Sequence, residues 1–135
     1  MSAPRRPPKP DRAKGRAKMQ EVYNFTVDPE DVPGDFVAYT VDNLFGDVWC
    51  RPGLSVFERR LMTIGVLATL GKTDLLDVQF KSALHNGELT EDQVREIVIH
   101  LTHYVGWPLA TGISEAAERV IARRQAGSKD SGEGS

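Results

Sequence analysis

The stretch from Ser55 to Pro108 marks its own helix boundaries, and those marks leave room for little but a bundle of helices. Ser55 stands three residues before Glu58. At that spacing a serine hydroxyl accepts from a first-turn amide while the glutamate reaches back to the serine amide. Thr90 and Gln93 repeat the pattern, and Thr73 is placed to cap a helix between them. Gly71, Asn86-Gly87 and Gly106, the last just before Pro108, are stops of the kind that end helices. The spacing therefore predicts helices from Ser55 to about residue 70, from Thr73 to Asn86, from Thr90 to Gly106, and from about 109 to 125. A further helix is expected near 34–46, where Phe36, Val37, Tyr39, Thr40, Leu44 and Phe45 approach helical spacing before "CRPG" breaks it. No segment reads as a strand, so the fold class is all-α, with five to six helices in one compact domain over residues 19–125.

The apolar pattern within these helices says which faces are covered. From Leu61 to Leu70 the run is apolar or small on every side apart from Thr63 and Thr69, which predicts a central, fully buried helix. Leu75, Leu76, Phe80, Ala83 and Leu84 form the stripe of the next helix, and Ile113, Ala116, Ala117, Val120 and Ile121 that of the last. In "REIVIHLTHYVGWP" two faces coexist. Val94, Ile97, Val98, Leu101 and Val105 make a core face, whereas Glu96, His100, His103, Tyr104 and Trp107 gather on another. That second face reads three ways: a site, a subunit interface rich in aromatic residues, or a surface pair of Glu96 and His100. Glu96, His100 and His103 also suggest a metal face, but not in the HExxH pattern of zinc helices.

Charge is divided unevenly. Residues 1–18 hold seven basic side chains against Asp11 alone, a net of +6, while the other 117 residues carry a net of −8. Four prolines and an absence of apolar anchors predict that residues 1–18 are a disordered basic arm. Such an arm can bind nucleic acid or an acidic surface. The plainer reading is an extension that folds back loosely on the acidic body, and nucleic acid is not the expected partner. Residues 126–135, rich in Gly and Ser, are expected to be a second disordered tail. No apolar run approaches the roughly 18 residues of a membrane span, and the N-terminus lacks the apolar core of a signal peptide, so the expected location is cytoplasmic. Cys50 is the one cysteine, which excludes an internal disulfide and a CxxC pair.

Trp49-x-Arg51-x-Gly53-Leu54, Glu58-Arg59-x-Leu61, Ala83-Leu84-x-Asn86-Gly87 and Glu96-x-x-x-His100-x-x-x-Tyr104-x-Gly106-x-Pro108, in this order over residues 34–122, resemble the carboxymuconolactone decarboxylase family. The resemblance implies an alkylhydroperoxidase-like helical fold assembling as trimers or hexamers, and a cofactor-free decarboxylation in aromatic catabolism. Peroxide-reducing members of that family use a CxxC pair. The corresponding stretch here, residues 70–73, has no cysteine, which makes a peroxidase the weakest reading. Decarboxylase members usually carry a histidine where this chain has Gln79, and a glutamine cannot shuttle a proton near neutral pH.

Losing CO2 from a carboxylated lactone leaves an enolate. That calls for a cation at the carboxylate, donors at the enolate, and an acid titrating near pH 7. Under the resemblance, His100 is the expected proton donor, Tyr104 a donor to the enolate, and Glu58 a tuning carboxylate. Arg51, Gln79 and Trp49 are the expected substrate-binding residues. Each has a plainer alternative: Glu58 as the helix cap, Arg51 and Arg59 in ion pairs between subunits, Trp49 in a core or interface. Two function classes follow: a small lyase acting on a lactone or related carboxylate, and a helical oligomer without catalysis that uses its basic arm for interaction.

Overall fold

The structure is a computed structural model that describes residues 10–132; residues 1–9 and 133–135 of the two expected tails lie outside them. Among the described residues it is all-helical: α1 (Arg12–Tyr23), α2 (Phe36–Tyr39), α3 (Val56–Leu70), α4 (Thr73–His85), α5 (Glu91–Val105) and α6 (Trp107–Gly132). A π-helical turn over Thr40–Phe45 continues α2, and single 3-10 turns cover Pro29–Asp31 and Val48–Cys50. No described helix is long and apolar enough to cross a membrane.

The expected single core is instead two. The chain divides into compact units at Val56/Phe57, just after the Pro52-Gly53 turn. In the first, Met19 and Val22 of α1 pack with Val41, Phe45 and Trp49. The expectation of a disordered arm through residue 18 is therefore corrected from Arg12 onward. Charge is the reason. The Asp11 carboxylate caps α1 by accepting from the Lys14 amide at 3.0 Å. Arg12 grips Asp42 with Nε and Nη2 at 2.8 and 3.0 Å, and Arg16 pairs with Asp28. The basic segment thus finds its partners in the acidic stretch 28–42, and once it is pinned there, Met19 and Val22 have somewhere to be buried. Gly15 makes the contact possible: a Cβ at that position would sit 1.9 Å from the Val41 carbonyl oxygen.

In the second unit α6 packs against both α4 and α5. The core holds Ile64 and Ala68 of α3, Leu76, Phe80, Ala83 and Leu84 of α4, Val94 of α5, and Ile113, Ala116, Ala117, Val120 and Ile121 of α6. Ile97, Val98, Leu101 and Val105 pack on it from α5, along the face their spacing assigns. Three sequence expectations change here. α3 is not buried all round: Arg60, Ile64 and Ala68 are buried, whereas Leu61, Met62, Val66 and Leu70 are exposed. The apolar surplus on α3 is thus an uncovered stripe. Thr73 is the first residue of α4 rather than its cap, which falls at Lys72, and Leu75 is exposed. α6 runs on through the Gly/Ser-rich segment to Gly132, because each turn propagates from one already anchored on the core.

Other boundaries fall where the sequence puts them. Thr90 and Gln93 form a full capping box, with bonds of 2.9 and 3.1 Å. α4 closes in a Schellman motif: the Glu88 amide bonds to the Ala83 carbonyl at 2.9 Å and the Gly87 amide to the Leu84 carbonyl at 3.2 Å. Gly87 sits at φ +70°, where a side chain would be strained.

Candidate functional site

α5 carries the densest set of chemistry-bearing residues in the second unit. Because its core face is fixed by Val94, Ile97, Val98, Leu101 and Val105, residues 96, 100, 103 and 104 must face outward. They do: Glu96, His100, His103 and Tyr104 are all exposed, Tyr104 by 78%. The structure sorts them into two pairs. His100 and Tyr104, one turn apart, have ring centroids 5.0 Å apart at a 35° tilt. His103 meets Trp107 edge-on at 5.6 Å. His103 Nδ1 lies 2.8 Å from the Ile99 carbonyl oxygen. A carbonyl only accepts, so Nδ1 carries the proton and Nε2 keeps its lone pair in the neutral ring. Among the described residues no hydrogen bond or ion pair joins Glu96 to His100, and no group of three His, Cys, Asp or Glu is placed to hold a metal ion.

A cavity of about 350 Å³ opens between α5 and α6, lined by Thr102, His103, Trp107, Thr111, Ser114 and Glu115 among others. His103 borders it and His100 does not. Ion pairs hold α6 in place beside it. Arg119 Nε and Nη2 donate to Asp77 at 2.9 and 2.8 Å, tying α6 to α4. Arg95 donates to Glu118 at 2.9 and 3.2 Å, tying α5 to α6, and this hydrogen-bonded guanidinium holds the Glu118 carboxyl below the usual range.

The remaining expected site residues are distributed as follows. Glu58 is exposed in the first turn of α3, where a cap partner of Ser55 belongs. Gln79 is buried on α4, its Oε1 accepting from Arg60 Nη1 at 3.0 Å. Trp49 is buried in the core of the first unit, its ring stacked on Phe45 at 5.9 Å, so that core packing is its observed role. Arg51 is exposed just after the Val48–Cys50 turn. The structure thus brings His100 and Tyr104 together, and sets Gln79 in a polar network of its own. Trp49 and Arg51 belong to the first unit, and Glu58, Gln79, His100 and Tyr104 to the second.

Two polar residues of this unit escape the sequence reading. Arg60 is wholly buried, and Glu88, in the turn after α4, receives its Nε and Nη2 at 2.8 and 2.9 Å. A signal existed. Arg60, Ile64 and Ala68 follow i, i+4, i+8, so Arg60 falls on the core face of α3, where a charge must have a buried partner.

Comparison with known proteins bears on the same segment. The model of the carboxymuconolactone decarboxylase family matches residues 34–119. A 4-carboxymuconolactone decarboxylase of Acinetobacter baylyi is 36% identical over 91 residues, 67% of each chain. A nitrosuccinic acid decarboxylase of Metarhizium robertsii is 38% identical over 64 residues, 47% of this chain and 44% of that protein. With the helical architecture, the family's match over more than half its length decides the point: the chain belongs to the carboxymuconolactone decarboxylase family.

Proposed function

We propose that the protein is a cofactor-free carboxy-lyase acting on a small carboxylate, with a carboxylated lactone of aromatic catabolism as the first candidate. The observation that carries this reading is the outward-facing His100–Tyr104 ring pair, within the stretch 34–119 that the family model matches, in a chain similar to two relatives named as decarboxylases. Those names share a chemical feature. A lactone carbonyl and a nitro group are both acceptors for the electron pair left when a C–C bond to a carboxylate breaks. In the proposed step that bond breaks, CO2 departs, and the pair passes into the acceptor. His100 then gives its proton to carbon and recovers one from water. An imidazole side chain can both give and take a proton in the neutral range, which both halves of the cycle require. The Tyr104 hydroxyl donates to the developing oxyanion. Glu58, in the same unit as His100 and Tyr104, tunes the acid.

Assembly into trimers or hexamers belongs to the same proposal. Leu61, Met62, Val66 and Leu70 leave an apolar stripe along α3 in contact with water. Stripes of this kind on soluble chains mark interaction surfaces. The test is CO2 release across a panel of carboxylactones and nitro-substituted carboxylates. Turnover of at least one, in buffer containing a chelator and no added cofactor, is expected. A panel without turnover would leave the chain a helical oligomer without this chemistry.

A further inference from the structure

Gln79 has a fixed polarity. Arg60 is the largest wholly buried side chain in the described residues. Its Nε and Nη2 are held by the Glu88 carboxylate at 2.8 and 2.9 Å, and Asn86 Nδ2 braces that carboxylate at 3.2 Å. Its Nη1 donates to Gln79 Oε1 at 3.0 Å. A guanidinium has donors only, so Gln79 must meet it with its carbonyl. Flipping the amide would set N–H against N–H inside the core. Oε1 is therefore committed, and Nε2 with its two protons points elsewhere.

The residue is 2% exposed, yet among the described residues Nε2 has no protein partner and is not sealed from solvent. Buried polar groups are nearly always satisfied, and a donor left open at the end of a rigid chain of bonds is a place for an acceptor. The network also makes it a strong donor, because a carbonyl polarised by a guanidinium draws density from its own nitrogen. Arg60 and Glu88 neutralise each other, so no net charge beneath Gln79 opposes an anion.

We infer that Gln79 Nε2 is a pre-oriented hydrogen-bond donor to an anionic oxygen of the substrate, with Arg60 and Glu88 as positioning residues that hold it. This rests on the reading of the substrate as a carboxylate, and it assigns the site a preference for acceptors over donors. A glutamine here then serves where proton transfer is not required of this position, only a fixed N–H.

The experiment titrates the full-length protein with succinate, an unreactive dicarboxylate, and follows the Gln79 side-chain amide by 15N-correlated NMR. The wild-type amide pair should shift saturably. Gln79→Glu keeps the length and the acceptor for Arg60 but removes both protons, and should weaken succinate binding by about tenfold or more at unchanged oligomer mass and helix content. Glu88→Gln, which disturbs the Arg60 guanidinium that holds Gln79, should weaken succinate binding too at unchanged helix content. A Gln79 amide that ignores succinate in the wild type would overturn the inference without any variant, as would Gln79→Glu binding succinate as tightly as the wild type. Succinate binding at Gln79 with no turnover of any panel compound would uphold the donor and overturn the decarboxylation.

Discussion

Arg60 shows how one residue's periodicity outweighs its chemistry. By type it belongs on the surface; by position, four before Ile64 and eight before Ala68, it belongs in the core, and the core is where it lies. Its neighbour Arg59 carries the recognisable motif, which is why sequence reading attends to the wrong arginine. Glu88 is harder to foresee, since it lies in a turn and meets α3 only through the fold. The consequence for stability is specific. Glu88→Ala leaves a buried guanidinium without its counter-ion and should destabilise the protein by about 3–5 kcal/mol in urea unfolding. Arg60→Met with Glu88→Leu should cost clearly less than Glu88→Ala alone. Equal losses would mean that the pair's burial is not what matters. Trp49 makes the opposite case: both readings, stacker and core residue, fit the sequence, and only its packing on Phe45 separates them. His100 and Tyr104 were legible as a pair from their spacing, because on a helix i and i+4 lie on one face.

Among the elements, α5 was the most legible and α1 the least. Capping box, core face and Gly106 stop are local signals, and all three lie in the α5 sequence itself. α1 depends on partners 12 to 30 residues away, which no local pattern reports: Arg12 with Asp42, Arg16 with Asp28, Gly15 against Val41. The charge asymmetry was visible, but not that it would be resolved by a helix. This gives α1 a pH dependence. The hydrogen bond from Arg12 holds the Asp42 carboxyl below its ordinary value of 3.8. A carboxyl depressed on folding contributes stability that is present above its unfolded pKa and is lost as pH falls through the folded one. Asp42→Asn should therefore lower the melting temperature at pH 7, and its deficit against the wild type should shrink below about pH 4. A deficit that stays constant down to pH 2 would show that the contact acts by packing rather than charge.

At the scale of the whole molecule, two cores and one bare stripe organise the chain. The split after "CRPG" was marked in the sequence as a helix break, but a second core required α1, and α1 was hidden in a stretch whose composition argues for disorder. The exposed stripe on α3 departs from its sequence pattern for a related reason: uniform apolarity predicts burial without saying what does the burying. If copies of this chain cover it, Val66→Glu, placed at its middle, should lower the mass measured by light scattering at micromolar concentration while helix content stays within a few per cent. An unchanged oligomer, or a wild-type protein that is already monomeric, would remove α3 from the assembly.

α5 is proposed to present a proton donor to a substrate losing CO2, and His100 against His103 is the sharpest contrast the molecule offers. The two lie on the same helix, both exposed; one is paired with Tyr104, the other with Trp107 and the Ile99 carbonyl. With a turned-over carboxylate in hand, kcat for CO2 release should be measured for His100→Gln and His103→Gln side by side. His100→Gln should fall by roughly a hundredfold or more at unchanged oligomer mass, and His103→Gln should stay near the wild type. Equal, small losses in both variants would make the face an interface rather than a site and would contradict the account.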